Sequence, residues 1–386
     1  MIGAYRDNEV SSTHPLIHSV EKINQAEVIY IRGLGEGEPI EALKSRNNIF
    51  KIGEAININQ DLFAVFDPAF NFAPRLGVPI HGIIGYDFLK DFVVEVNYSK
   101  QFIRLNNPET YKPKKCKNCE VLDLEFLNNK PYVEAVVEID ENKVPVTLLL
   151  DSGGSDSLWL FEDDSKGLTI PEKNFEDYLG RGLSGRVFGK RGKVSKLIMN
   201  SFELKRVNVA FPDSSSISFA RKFKDRSGSL SGDVLKRFNT IYDYNNSTIT
   251  LKRNRFFSQP FYYNKSGIEL EHDGVRVVKE LNKIKDNVFN SSNQSVATHG
   301  IILSGSYKYV LAPSFKIVEL RKDSPAERCG LQIGDVILKI NNKGAHTLSL
   351  QEVVQMFYDE DGKRIKLLID RHGNQMRFEF QLEKLL

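Results

Sequence analysis

The sequence predicts a mainly β protein: two similar β lobes followed by a small α+β domain. Three observations carry this reading. Residues 82–105 lie on 228–251 without a gap, and Gly82, Asp87, Leu89, Lys90, Phe92, Tyr98, Ile103 and Leu105 fall on Gly228, Asp233, Leu235, Lys236, Phe238, Tyr244, Ile249 and Leu251. The stretch Leu148-Leu149-Leu150-Asp151-Ser152-Gly153-Gly154 stands in the second copy alone. Beyond about residue 256 the pattern changes to short capped helices between strands.

The shift between the copies is 146 residues, far longer than a solenoid unit of roughly 20–50, so the repeat describes lobes. Two upstream echoes agree: Arg32-Gly33-Leu34 matches Arg181-Gly182-Leu183, and Phe66 falls near Phe211. Each copy ends in the same local design. Asp233 is expected to cap a helical turn, with Leu235 and Phe238 on its inner face. A hairpin over 240–251 follows, rich in β-branched and aromatic residues. The first copy repeats this through 93–98 and 101–105. Residues 106–118 are polar and Lys/Pro-rich and form the expected linker.

In the last domain, Ser324 caps a helix, Pro325 takes its first position, Glu327 completes a capping box and Gly330 ends it. A strand over 335–340 turns at Asn341-Asn342. A second helix opens at Ser349 with Glu352 three residues on, stapled by Leu348 and Val353, and Leu350, Val353, Val354 and Phe357 form its apolar stripe. Strands over 365–369 and 376–382 finish the chain.

Composition excludes several classes. The net charge of +3 arises from interspersed Lys, Arg, Asp and Glu, which gives no drive toward nucleic acid. No apolar run approaches the ~18 residues of a membrane span. The first six residues, Met1-Ile2-Gly3-Ala4-Tyr5-Arg6, lack the apolar core of a signal peptide. The expectation is an exported or periplasmic protein if an N-terminal segment is missing. Cys116 and Cys119 are expected to form a local disulfide or to remain inert thiols, because no second ligand pair completes a zinc site. No metal and no cofactor is expected. Gly180-Arg181-Gly182-Leu183-Ser184-Gly185 fits a dinucleotide fingerprint, but no strand–turn–helix context surrounds it.

The chemistry candidate is Asp151. An apolar strand delivers one carboxylate into a tight Ser-Gly-Gly turn, and apolar chain resumes at 158–161. A carboxylate leaving an apolar strand needs donors, and the hydroxyl of Ser152 and the N–H groups of Gly153 and Gly154 stand at close range. A strand ending in an ordinary Asx-turn has the same local look. Within the duplicated β scaffold, however, residues 120–255 resemble one lobe of a pepsin/retropepsin-like aspartic peptidase of the two-lobed, bacterial type, with Asp151-Ser152-Gly153 in the active-site loop. Residues 1–105 resemble the other lobe. Gly33 and Gly35, and Gly182 and Gly185, look like flap or flap-equivalent hairpins. Ile83-Ile84-Gly85 and Leu230-Ser231-Gly232 look like the family's apolar-apolar-Gly element.

The resemblance implies an endopeptidase using two Asp carboxylates that share a proton and activate a water on an extended polypeptide. Asp7 is the first-lobe candidate, 75 residues before Gly82 as Asp151 is 77 before Gly228. Its context, Asp7-Asn8-Glu9-Val10, lacks the family's Ser/Thr-Gly. The first lobe therefore reads as N-terminally truncated, and Asp7 is either the twin carboxylate or an ordinary residue near the start of the chain. Without a twin, the alternative is a catalytically inactive pseudo-peptidase that acts as a peptide-binding protein.

Ser324-Pro325-Ala326 through Gly330-Leu331, then 334–341, resemble a PDZ domain of the kind appended to bacterial proteases. That implies capture of a peptide C-terminus by strand addition. Gly267, Ile268 and Leu270 match the carboxylate-binding loop and strand, and Val353 and Phe357 lie on the helix flanking the groove. The expected division is thus an incomplete first lobe over 1–110, a second lobe over 120–256, and a PDZ domain over 262–386 with a polar loop insertion at 281–306. Expected partners are a polypeptide substrate or a peptide C-terminus.

Overall fold

Alternation of buried and exposed side chains decides most of the strands. The computed structural model describes residues 26–67, 70–113, 116–222, 226–281 and 307–386. Asp7 and nearly all of the insertion at 281–306 lie outside them. The chain is mainly β, in three sheets. The first is an antiparallel meander of β1 (Glu27–Ile31), β2 (Ile40–Ile52) and β3 (Ala55–Ala64) over a small core of Ala42, Val65 and Phe70. The turn α1 (Ala73–Leu76) ends at Gly77, whose φ of 66° suits glycine. Then come α2 (Tyr86–Leu89) and the hairpin β4 (Val93–Asn97) and β5 (Phe102–Asn106).

Ten further strands join that hairpin in the second sheet. They are β6 (Cys119–Leu127), β7 (Lys130–Ile139), β8 (Asn142–Asp151), β9 (Leu158–Leu160), β10 (Asn174–Gly182), β11 (Gly185–Met199), β12 (Phe202–Pro212), β13 (Arg226–Ser231), β14 (Phe238–Asp243) and β15 (Thr248–Arg253). The order is β10-β11-β12-β9-β13-β8-β7-β6-β15-β14-β4-β5, and β11 also pairs with β7. Cys116 and Cys119 form a disulfide at the start of β6.

The two repeated hairpins meet here. β14 pairs antiparallel with β4, and the central pair is Ile241 with Glu95. These two residues are equivalent under the 146-residue shift. The pairs around them, Thr240 with Val96 and Tyr242 with Val94, exchange under the same shift. The register is therefore two-fold symmetric. The surroundings are not: β15 has β6 on its outer side, while β5 has no outer partner among the described residues. Accordingly Ile249 is 1% exposed and its counterpart Ile103 is 68% exposed.

β8 buries Val144, Val146, Leu148 and Leu150, every second residue. β13 threads between β8, to which it is parallel, and β9, to which it is antiparallel. A strand crowded on both flanks takes small side chains, and β13 reads Arg-Ser-Gly-Ser-Leu-Ser. A Cβ on Gly228 would lie 1.9 Å from the Trp159 carbonyl oxygen. The turn α3 (Gly232–Leu235) follows, with Val234, Leu235 and Phe238 fully buried. Asp233 does not cap it. Ser231 holds that position, and the Asp233 carboxylate sits inside the turn, accepting from Ser157 Oγ at 2.5 Å and pairing with Lys236 Nζ at 2.6 Å. Arg237, 2% exposed, lies over the Phe261 ring and donates to the carbonyls of Asp233 and Phe256, which ties the tail of this sheet to α3.

The third sheet runs β16 (Ile268–Leu281), β17 (Tyr307–Leu320), β18 (Val336–Ile340), β20 (Arg364–Arg371) and β21 (Asn374–Gln381), with β19 (Lys343–Gly344) beside β18. β16 is an edge strand. Two short helices flank the sheet, α4 (Pro325–Arg328) and α5 (Leu350–Gln355). The capping box at Ser349 and Glu352 is formed. At α4, Ser324 accepts the Glu327 N–H, but Glu327 reaches back to the Asp323 N–H at 2.6 Å, one residue earlier than expected.

The threaded strand yields a stability prediction. Gly228→Ala forces the chain apart at Trp159 and should cost about 1–3 kcal/mol in urea unfolding. Gly85→Ala, where a Cβ would meet nothing within 4 Å, should stay within about 0.5 kcal/mol.

Candidate functional site

Asp151 is the last residue of β8, level with Ser231 of β13. The chain then turns back on the carboxylate. Asp151 Oδ1 accepts the N–H groups of Gly153 and Gly154, both at 3.1 Å. The loop is held from behind by the β13–α3 junction. Gly232 N–H donates to the Gly154 carbonyl at 2.8 Å, and Ser231 N–H to the Ser157 carbonyl at 3.1 Å. Here glycine is required by proximity: a Cβ on Gly154 would lie 2.8 Å from Ser231 Oγ, and one on Gly232 would lie 2.6 Å from the Gly154 carbonyl oxygen. Asp151 itself stays half-exposed, and Ser152 and Gly153 are exposed. The carboxylate is thus presented at a strand end with one oxygen occupied by backbone donors. Arg226 and Lys130 both lie in its field. Arg226 donates to Ser229 Oγ at 2.7 Å and to the Gly228 carbonyl at 3.1 Å, and burial lowers its pKa against the opposing effect of Tyr132 and Asp151.

The glycine-rich stretches come together. Gly182 and Gly185 close the β10–β11 hairpin, while Gly33 and Gly35 lie in the loop between β1 and β2. The two tips interlock around Ser184, which is 3% exposed. Ser184 N–H donates to the Leu34 carbonyl at 2.8 Å, its carbonyl accepts Gly37 N–H at 2.5 Å, and its Oγ accepts Gly33 N–H at 3.2 Å. The equivalent leucines exchange places. Leu183 packs on the Ala42, Val65 and Phe70 core of the first sheet, and Leu34 on Leu179, Val187 and Ala210 of the second.

The third sheet docks on this hairpin. Arg191 of β11 donates to Asp156 Oδ1 and Asp177 Oδ2, each at 2.8 Å, and Arg186 pairs with Glu319. A cavity of about 410 Å³ lies in the seam, lined by Asp177, Tyr178 and Lys190 on one side and by Gly267, Glu269 and Arg321 on the other. Glu269 is wetted by this cavity rather than sealed. The walls around it still strip away bulk water and push its carboxyl up to about 7, with Asp177 adding like charge and Arg191, Asn264 and Arg75 opposing.

The residues expected to bind a peptide carboxylate are internally occupied. Asn264 Oδ1 accepts the N–H groups of Ser266 at 3.0 Å and Gly267 at 3.3 Å, and Ser266 Oγ accepts Ile268 N–H at 3.0 Å. Ile268, Leu270, Val353 and Phe357 all belong to the domain's own core, with Val353 and Phe357 at 0% exposure. The stripe at 350, 353 and 357 thus packs inward. Sequence reasoning missed Arg75, Tyr178, Arg191 and Arg226, and read residues 266–270 as a loop and strand without singling out Glu269. Arg75 meets Tyr178 across 103 residues of chain and Arg191 meets Asp156 across 35, and no local motif marks them. Among the described residues no group of three or more His, Cys, Asp or Glu could hold a metal ion, and no helix is long and apolar enough to cross a membrane.

Residues 316–371 match the PDZ domain family, so the chain carries a PDZ domain. No curated protein matches the sequence. Among solved structures, the chain is similar to a retropepsin-like aspartic protease from Rickettsia conorii, at 12% identity and a TM-score of 0.24 over 37% of this chain and 96% of that one. It is also similar to a serine endoprotease from Yersinia pestis, at 12% identity and a TM-score of 0.23 over 79% of this chain and 100% of that one. Scores this low carry no argument about the peptidase fold.

The seam predicts a pH dependence. A carboxyl raised from its ordinary value near 4.5 to about 7 holds its proton longer when docked than when free. Docking should therefore weaken as pH rises through that window. Glu269→Gln should flatten the effect, and small-angle scattering at pH 5 and pH 8 reads both outcomes.

Proposed function

We propose that the chain is an aspartic-type endopeptidase module with a PDZ domain that recruits polypeptide. The observation that supports it is the seating of Asp151: a carboxylate at a strand end, turned by a Ser-Gly-Gly loop, gripped by two backbone N–H groups and braced by a strand threaded between its neighbours. The symmetric β4–β14 register and the interlocked tips fit two lobes of common origin. On this reading residues 1–110 and 120–256 are the lobes, and 262–386 the PDZ domain.

The chemistry needs no cofactor. Asp151 and a twin carboxylate, with Asp7 as the candidate, would share one proton because like charges at close range resist double ionisation. The pair would titrate as a unit. One member takes a proton from water as the other gives one to the peptide carbonyl. The N–H groups of Gly153 and Gly154 fix Oδ1 and leave Oδ2 to face the water. The Gly33–Gly35 and Gly182–Gly185 segments would act as flaps that part for an extended chain and then exclude solvent.

A second reading has its own support. Asp151 faces the cations Arg226 and Lys130, an arrangement of opposite charges in place of two like ones. That suits a pseudo-peptidase whose PDZ domain binds peptide without turnover. Unfolded casein assayed from pH 3 to pH 8 separates the two. The peptidase cleaves it, and Asp151→Asn lowers the rate by at least about 100-fold. Absence of cleavage across the range, or a rate unchanged by Asp151→Asn, removes the peptidase reading and leaves the binding protein.

A further inference from the structure

We infer that the turn Ala73–Leu76, with its closing Gly77, is an internal ligand of the PDZ domain. It bridges the edge strand β16 and the start of α5, and it ties the state of the groove between them to the β10–β11 hairpin. The inference stands whether or not Asp151 hydrolyses peptides.

Three sets of contacts carry it. First, α1 packs against β16, whose outer edge has no strand partner among the described residues. Second, the turn meets the helix. Gln351 donates its side-chain amide to the Leu76 carbonyl, and Gly77 passes so close that a Cβ there would lie 2.9 Å from Leu350 Cβ and 3.0 Å from Gln351 Nε2. Third, Arg75 reaches out of the turn to two partners. Its guanidinium pairs with Glu271 of β16 and hydrogen-bonds the hydroxyl of Tyr178 on β10. The guanidinium and the Glu271 carboxylate are each only about a quarter exposed, so this pair is more firmly held than a surface ion pair.

A peptide that adds as a strand to β16 must run along the edge beside α5. The turn holds part of that path. Peptide binding and docking of the turn therefore exclude each other, and the apparent peptide affinity is the intrinsic one scaled by the open fraction. Release has a second consequence. Tyr178 lies on β10, the strand that ends at Gly182 in the tip that grips Leu34, so displacing Arg75 removes a tether from the hairpin that carries Gly182 and Gly185. The partner that fits is an extended chain end able to compete with a single helical turn and one arginine.

The test is hydrogen exchange on the full chain, comparing wild type with Arg75→Ala and Gly77→Val. The expected result is exchange at least about five-fold faster in 268–271 and 350–355, with 364–381 unchanged as the folding control. If Gly77→Val also loosens 364–381, Gln351→Ala takes its place, since that side chain is exposed and touches the turn from the other side. A pool of fluorescent decapeptides with free C-termini and randomised last four residues should bind Arg75→Ala at least about five-fold tighter than wild type. The amidated pool reports whether the carboxylate is read. Exchange unchanged by both variants, or a peptide affinity that Arg75→Ala leaves unchanged, overturns the proposal.

Discussion

The antiparallel pairing of β4 with β14 organises everything else. It sets Glu95 opposite its own repeat equivalent Ile241, and a ladder in that register admits no one-residue slip without sending Val94 and Tyr242, both buried, to the wrong face. The tips around Leu34 and Leu183 meet at Ser184 and exchange their leucines, and the glycines around them leave the backbones room to approach that closely.

Polar contacts extend outward from the Asp151 loop in an unbroken chain. Asp156, five residues past Asp151, accepts from Trp159 and Arg191, Arg191 also binds Asp177, and Asp177 faces Glu269 and Arg321 across the seam. Burying so many charges is tolerable only because each meets an opposite partner or a wet cavity. The seam therefore specifies orientation more than it adds stability.

How much of this was legible in the sequence varies with range. The repeated hairpins, the Asp151 loop and the helix at Ser349 were readable because each rests on contacts within about ten residues. The PDZ assignment rested on such a local stretch, and the family match covers it. Local reasoning erred where a tertiary neighbour intervened. Asp233 looked like a cap but is taken by Ser157, and Val353 and Phe357 looked like groove residues but fill the core. The meander β1–β3 and the long arms β16 and β17 escaped notice because apolar residues stand on their exposed positions too, Ile49, Ile58, Val277 and Leu311 among them, so no clean alternation marks a buried face. Arg75 and Arg191 were invisible, since a lone arginine has no pattern: Arg75 meets Glu271 and Tyr178 on two different sheets, and Arg191 meets Asp177 on the neighbouring strand and Asp156 35 residues away.

The solitary outer edge at β5 carries one more implication. Among the described residues it has no neighbouring strand, and Ile103 stands exposed beside it, the kind of edge by which sheets recruit foreign strands. Arg104, held across the hairpin by Glu95, is the charge that restrains such growth. A strand seated on that edge would mirror β6 and complete a six-stranded ladder, β6-β15-β14-β4-β5 and the newcomer.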